Sequence, residues 1–150
     1  MSDREMVLKK EIPECNLTLY YRKDLNVLSI RWQLCGDSIL RRRGYIEALN
    51  WAGQIHANYW ILDLRGRGPG ELNDDYWVLA VFFKLVYKVL NSTLYMAYLL
   101  VPSHYKKVLP RIPTEEVAKF KNVVEVKMFV NELDALEWLA KKQVLLDSGN

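Results

Sequence analysis

The stretch YWILDLRGRGPGELNDDYW, residues 59–77, decides how the chain is read. Its first half, YWILDL, is a short and mostly apolar run, as expected of a central strand buried on both faces. Glycines at 66, 68 and 70 then interrupt the chain. Asn73 offers a helix cap, and Asp74 and Asp75 fall in the first turn, where the helix dipole favours negative charge. A strand hands over to a helix here, and the flanking sequence repeats that unit.

Downstream, the helix is expected to run from about Asn73 to Leu90. LYMAYLLV (94–101) reads as a second buried strand, closed by Pro102. A short helical piece is expected over 105–109. Thr114 can cap another turn through Phe120, with Glu115, Glu116 and Lys119 exposed. VVEVKMF (123–129) alternates as a strand with one wetter face, and Asn131 caps a terminal helix. In that helix Leu133, Leu136, Trp138, Leu139 and Ala140 are expected to make the apolar contacts.

Upstream, NLTLYYRK (16–23) and NVLSIRWQ (26–33) are strand-like runs separated by Asp24 and Leu25, with Asn26 adjacent. That spacing suits a tight hairpin. In the second run Leu28, Ile30, Trp32 and Leu34 alternate with Val27, Ser29, Arg31 and Gln33, so one face is drier. Asp37 or Ser38 can cap a helix through Ala57, with Ile39, Ile46, Leu49, Gly53 and His56 near one face. The order is ββαβαβαβα. Consecutive strand–helix–strand units require right-handed crossovers. The expectation is an α/β fold with a mainly parallel sheet of about five strands, an antiparallel edge hairpin and helices packed on it. No linker or repeat divides residues 1–150, and the ordered core is expected over about 16–142.

Composition agrees with one globular domain. Of the 150 residues 51% are hydrophobic and 26% charged, so a core can form without a disulfide or metal staple. The net charge of +3, 21 basic against 18 acidic residues, is too small to argue for nucleic acid. The start, MSDREMVLKKEIPEC, lacks the apolar core of a signal peptide, so a cytoplasmic location is expected. Residues 76–101 are apolar enough to resemble a membrane span. Lys84 and Lys88 sit inside them, each costing about 2.5–3.5 kcal/mol near a bilayer centre, and no membrane insertion is expected.

The element order, the strand ending WILDLRGRGP, the run AYLLVP and the closing ELDALEWLAKK together resemble a STAS-type domain over roughly residues 16–142. That is the fold of anti-sigma factor antagonists and of the cytoplasmic parts of sulfate transporters. More narrowly, the chain looks like uncharacterised bacterial proteins near that fold. The resemblance implies a regulatory, protein-binding role. Switchable antagonists carry a phosphorylatable Ser or Thr after the equivalent strand. Here the place reads Asp63-Leu64-Arg65-Gly66-Arg67-Gly68-Pro69-Gly70, without a hydroxyl. Their switch, which acts by adding charge at a helix start, does not carry over.

The glycine loop lacks the Lys and Ser/Thr of a Walker loop and the spacing of a dinucleotide fingerprint. Arg65 and Arg67 could instead hold a carboxylate or phosphate by forked hydrogen bonds. Asp63, near a buried strand end, could be functional, could cap the loop's N–H groups, or could pair with Arg65. Ser103 and His104 follow the next strand and complete a possible Asp-Ser-His set with Asp63. Adjacent residues usually point apart, and no G-x-S-x-G elbow presents a nucleophile.

Cys15 falls nearly opposite Cys35 across the hairpin, either as two packed thiols or as a redox pair. The thiols and histidines make no zinc pattern. Arg41, Arg42 and Arg43 span about 300° of a helix, so they make no single basic face and are expected to be solvated.

The helix from Asn73 to Leu90 carries the most information. Only Lys84, Lys88 and Asn91 wet it, and extending that stripe backwards meets Val81 and Trp77. A helix covering one side of a sheet normally shows a wider polar face. A neighbouring helix, a second copy of the chain or an apolar ligand must cover it. The expected function is non-catalytic protein binding or self-association, through this helix and the strand ends around Asp63, Arg65 and His104, with no cofactor or metal. The competitors are a carrier of an apolar or lipid-like molecule and a small hydrolase using Ser103, His104 and Asp63.

Overall fold

The computed structural model describes residues 6–34, 37–67, 72–108, 115, 118–120 and 122–148. The chain is α/β, with one six-stranded mixed sheet in the order β1-β2-β3-β4-β5-β6. The strands are β1 (Val7–Ile12), β2 (Leu17–Arg22), β3 (Val27–Trp32), β4 (Tyr59–Asp63), β5 (Leu94–Leu99) and β6 (Val124–Phe129). β1, β2 and β3 form an antiparallel meander, and β3 to β6 are parallel neighbours. The helices are α1 (Ser38–Ile55), α2 (Leu72–Trp77), α3 (Phe83–Leu90), α4 (Pro102–Val108) and α5 (Glu132–Ser148).

The sheet has one strand more than the sequence led us to expect. β1 lies in the charged leader, VLKKEI, and forms the edge, which places the β2–β3 hairpin inside the sheet. Lys9, Lys10 and Glu11 are exposed along it, and charge on an edge strand discourages pairing with other chains. The hairpin pairs Leu17 with Trp32 and Arg22 with Val27. Asn26 turns it with a φ of 53°, a left-handed conformation that Asn tolerates. Gln143 of α5 holds the tip by donating to the Leu25 carbonyl at 3.1 Å.

Alternation along the strands makes two cores. On one face Leu17, Leu19, Leu28, Ile30, Trp32, Trp60, Leu62 and Met96 pack under α1 and α3. On the other, Val27, Tyr59, Ile61, Tyr95, Ala97 and Leu99 meet Ala135 and Leu139 of α5. β4 is buried throughout, as a central strand should be. The larger core holds the aromatic cluster, with Tyr45 5.1 Å from Trp32 and 5.0 Å from Phe82.

Several helix faces differ from expectation. Asp37 caps α1 by accepting from the Ile39 and Leu40 N–H groups. The buried face of α1 is Arg41, Gly44, Tyr45, Ala48, Leu49 and Ala52; Ile39 is 76% exposed. His56 is the left-handed C-cap, outside the helix. Close approach shapes the buried face of α1: a Cβ on Gly44 would lie 2.3 Å from the buried Trp32 ring, and Ala48 and Ala52 share that face with Arg41, Tyr45 and Leu49. Asn131 caps α5 as expected, but Leu133 is 65% exposed and Ala140 also faces outward. The turn expected from Thr114 lies largely outside the described residues, although Glu115 and Lys119 are exposed.

Residues 72–90 form one continuous run of helical turns, interrupted by a π turn over Val78–Phe82. The Phe83 N–H donates to the Val78 carbonyl, five residues back. The wider turn lets Val78, Leu79, Phe82 and Phe83 all face the core. Among the described residues no helix is long and apolar enough to cross a membrane. The apolar stretch that resembled a span divides between this helix and β5.

Candidate functional site

Asp63 ends β4 on the α5 side of the sheet, with its side chain 7% exposed. Its carboxylate accepts from the Arg65 backbone N–H at 3.1 Å, from Arg65 Nε at 3.0 Å and from the Arg65 terminal nitrogen at 2.9 Å. Arg31 stands 3.6 Å away on the neighbouring strand. Asp63 therefore does both structural jobs considered for it, capping the loop start and pairing with Arg65. The same hydrogen bond raises the Arg65 pKa and holds its guanidinium firmly charged.

Arg67 lies elsewhere. Its guanidinium stacks 4.5 Å from the Trp32 ring centre and 6.0 Å from that of Tyr45, over the larger core. Arg65 and Arg67 thus engage opposite faces of the sheet and do not form a two-arginine anion fork. Gly66 between them runs against β3: a Cβ there would sit 2.9 Å from the Trp32 carbonyl oxygen. Beyond Arg67, residues 68–71 of the glycine loop lie outside the described residues.

A cluster that the sequence did not reveal ties α1 to α2. Arg41 is buried and reaches Asp74 through Nε and a terminal nitrogen, both at 2.7 Å. The Ser38 hydroxyl donates to the other carboxylate oxygen, and Arg42 Nε stands 3.6 Å from it. Arg42 also lies 5.8 Å from the Trp77 ring centre. The three arginines do point in different directions, but only Arg43 is freely solvated, beside Glu47 one turn on. The one available signal was an acidic first turn on a helix otherwise too apolar to carry it. Nearby, Tyr98 has its pKa well above the usual phenol value, first through burial and then through the adjacent Tyr45, against a weaker pull from Arg67.

Ser103 and His104 sit in the first turn of α4, which starts at Pro102, three residues before the short helical piece expected there. Ser103 is exposed and His104 half-buried. His104 Nδ1 is buried without a hydrogen-bond partner among the described residues, and no described hydrogen bond joins Ser103, His104 and Asp63. Asp63 is already bound by arginine. Cys15 closes the one-turn 3-10 helix Pro13–Cys15 and is buried, with Trp32 Nε1 donating to its carbonyl at 2.9 Å. Its expected counterpart, Cys35, lies outside the described residues. Among the described residues no group of three or more His, Cys, Asp or Glu could hold a metal ion.

The outer side of residues 72–90 answers what covers that helix. α1 covers one flank, with Gly53 of α1 against Val89, and Phe120 packs on Phe83 at 5.5 Å. Trp77, expected on the outer stripe, turns inward against Tyr45 and Phe82 because the π turn shifts the helical phase. A stripe remains open. Tyr76 is 57% exposed, Val81 39% and Tyr87 55%, with Ala80, Lys84 and Lys88 exposed between them. At the other end of the sheet a polar cleft of about 420 Å³ opens between Gly53, His56, Asn58 and Asn91.

Comparison with models of known families, with curated proteins and with solved structures finds no match.

Proposed function

We propose that the chain is a non-catalytic, STAS-like binding domain that docks a protein partner on the outer face of residues 76–88. The observation that carries this is the open stripe of Tyr76, Val81 and Tyr87. None of these side chains has an intramolecular hydrogen bond or ring contact among the described residues. Large aromatic and aliphatic side chains held exposed along one helix face are what a helix-docking partner uses as anchors. The STAS-like part rests on β3, β4, β5 and β6 lying side by side in chain order, with a helix after each of the first three, and on the sequence resemblance. The buried Arg41–Asp74 pair ties the first turn of that helix to α1.

The test is photo-crosslinking in the protein's native cells from a reactive residue placed at position 87, with position 50 on α1 as an exposed control. A discrete protein adduct from 87 and none from 50 is expected. Equal adduct patterns from both positions, or none from either, would refute the docking face.

A further inference from the structure

Resting on that docking face, we infer that its occupant is an acidic, apolar helical segment of another protein and not a second copy of this chain. Tyr76, Ala80, Lys84 and Lys88 are all exposed on the outer side of the run, on either side of and within the π turn, and rows of exposed side chains form the ridges and grooves into which a second helix packs. Ala80 is the notch in this row, small enough to let another backbone approach between Tyr76 and Lys84. Val81 and Tyr87 flank it, exposed at 39% and 55%.

Charge selects the occupant. Lys84 and Lys88 are exposed and make no ion pair among the described residues. Residues 76–88, YWVLAVFFKLVYK, contain no acidic side chain. Docking any helix here brings both ammonium groups towards a dry interface, where an unpaired charge is strongly unfavourable. A partner must supply the carboxylates. A second copy docked by the same stripe does not: two such stripes laid together would gather four lysines and no acid from within them. Of the two acidic residues just before it in the helix, Asp75 is half-buried and already engaged within the chain, and Asp74 is buried and held by Arg41, Arg42 and Ser38. The complement is an amphipathic helix with leucine-type residues over Tyr76, Val81 and Tyr87 and Glu or Asp beside Lys84 and Lys88. A stripe of 13 residues is about 20 Å long, so three to four turns of such a helix would cover it.

The test uses two synthetic helical peptides with the same leucine stripe, one flanked by glutamates and its twin by lysines, titrated into the isotope-labelled chain. The glutamate peptide should shift the amides of residues 76–88 and bind about tenfold or more tighter than the lysine twin, with the difference shrinking in salt. The double variant Lys84→Glu/Lys88→Glu should invert the preference. Equal binding of both peptides at this face would overturn the acidic partner while leaving the docking face intact. So would a concentration-dependent dimer in light scattering that Val81→Glu dissociates. If neither peptide shifts these amides, the inference falls, and the crosslinking experiment separately decides the face itself.

Discussion

At the residue scale, the ion pair between Arg41 and Asp74 sets the junction of α1 and α2. Both side chains are almost wholly buried, at 6% and 7% exposure, so removing one leaves the other charged and without its main partner. Asp74→Ala should cost about 3–5 kcal/mol, read from urea denaturation, while Ser38→Ala should cost about 1 kcal/mol. A loss below about 1 kcal/mol for Asp74→Ala would show that the pair does not hold the junction. Tyr98 supplies a pH dependence. Its folded pKa is raised above the ordinary 10.0, so above about pH 10 the unfolded chain gives up a proton that the folded chain keeps. Stability must then fall as pH rises through that range. Tyr98→Phe should flatten part of this alkaline decline, measured as denaturation midpoints from about pH 9 to pH 11. An unchanged slope would mean the phenol is not held neutral by the fold. Neither group was legible in the sequence. An arginine inside a run of three looks solvated, and only the helical phase, fixed by packing, decides which one turns inward.

At the scale of elements, two glycines on α1 make opposite predictions. A methyl group at Gly44 would meet the Trp32 ring at 2.3 Å, and that ring is fully buried. Gly44→Ala should therefore destabilise by about 1–3 kcal/mol. At Gly53 the nearest atom is a methyl of Val89, which is 38% exposed and free to turn away. There the gain in helix propensity, about 1 kcal/mol, offsets the contact, and Gly53→Ala should be near neutral in thermal melting. A Gly44→Ala variant as stable as the parent would remove the close approach of α1 to the sheet. The same approach explains why large apolar positions such as Ile39 do not mark the inner face of α1: Gly44, Ala48 and Ala52 make up half of it. β1 was missed for a different reason, since an edge strand with two lysines and a glutamate has no alternating apolar signal. β4 and β5 were legible because strands buried on both faces are apolar throughout. In residues 72–90 the sequence did reveal an excess of apolar side chains, but not the π turn that moves Trp77 inward and leaves Tyr76, Val81 and Tyr87 outside.

At the scale of the molecule, the α/β class, with an antiparallel hairpin joined to parallel strands, followed from alternation, turns and caps, whereas the full strand count and order did not. The candidate site followed less well, because it depends on side-chain partners. Asp63 and Arg65 satisfy each other, Arg67 leaves for the opposite face, and Ser103 and His104 start a helix. What persists from sequence to structure is an over-apolar helix with an uncovered side. Val81→Glu changes only that side, and an exposed substitution of this kind should alter stability by no more than about 0.5 kcal/mol. The most direct measurement is therefore the crosslinked adduct from position 87 in native cells, with and without Val81→Glu. The expected result is a discrete protein adduct that disappears in the variant while the chain remains folded. An adduct of unchanged yield in the folded variant would contradict it.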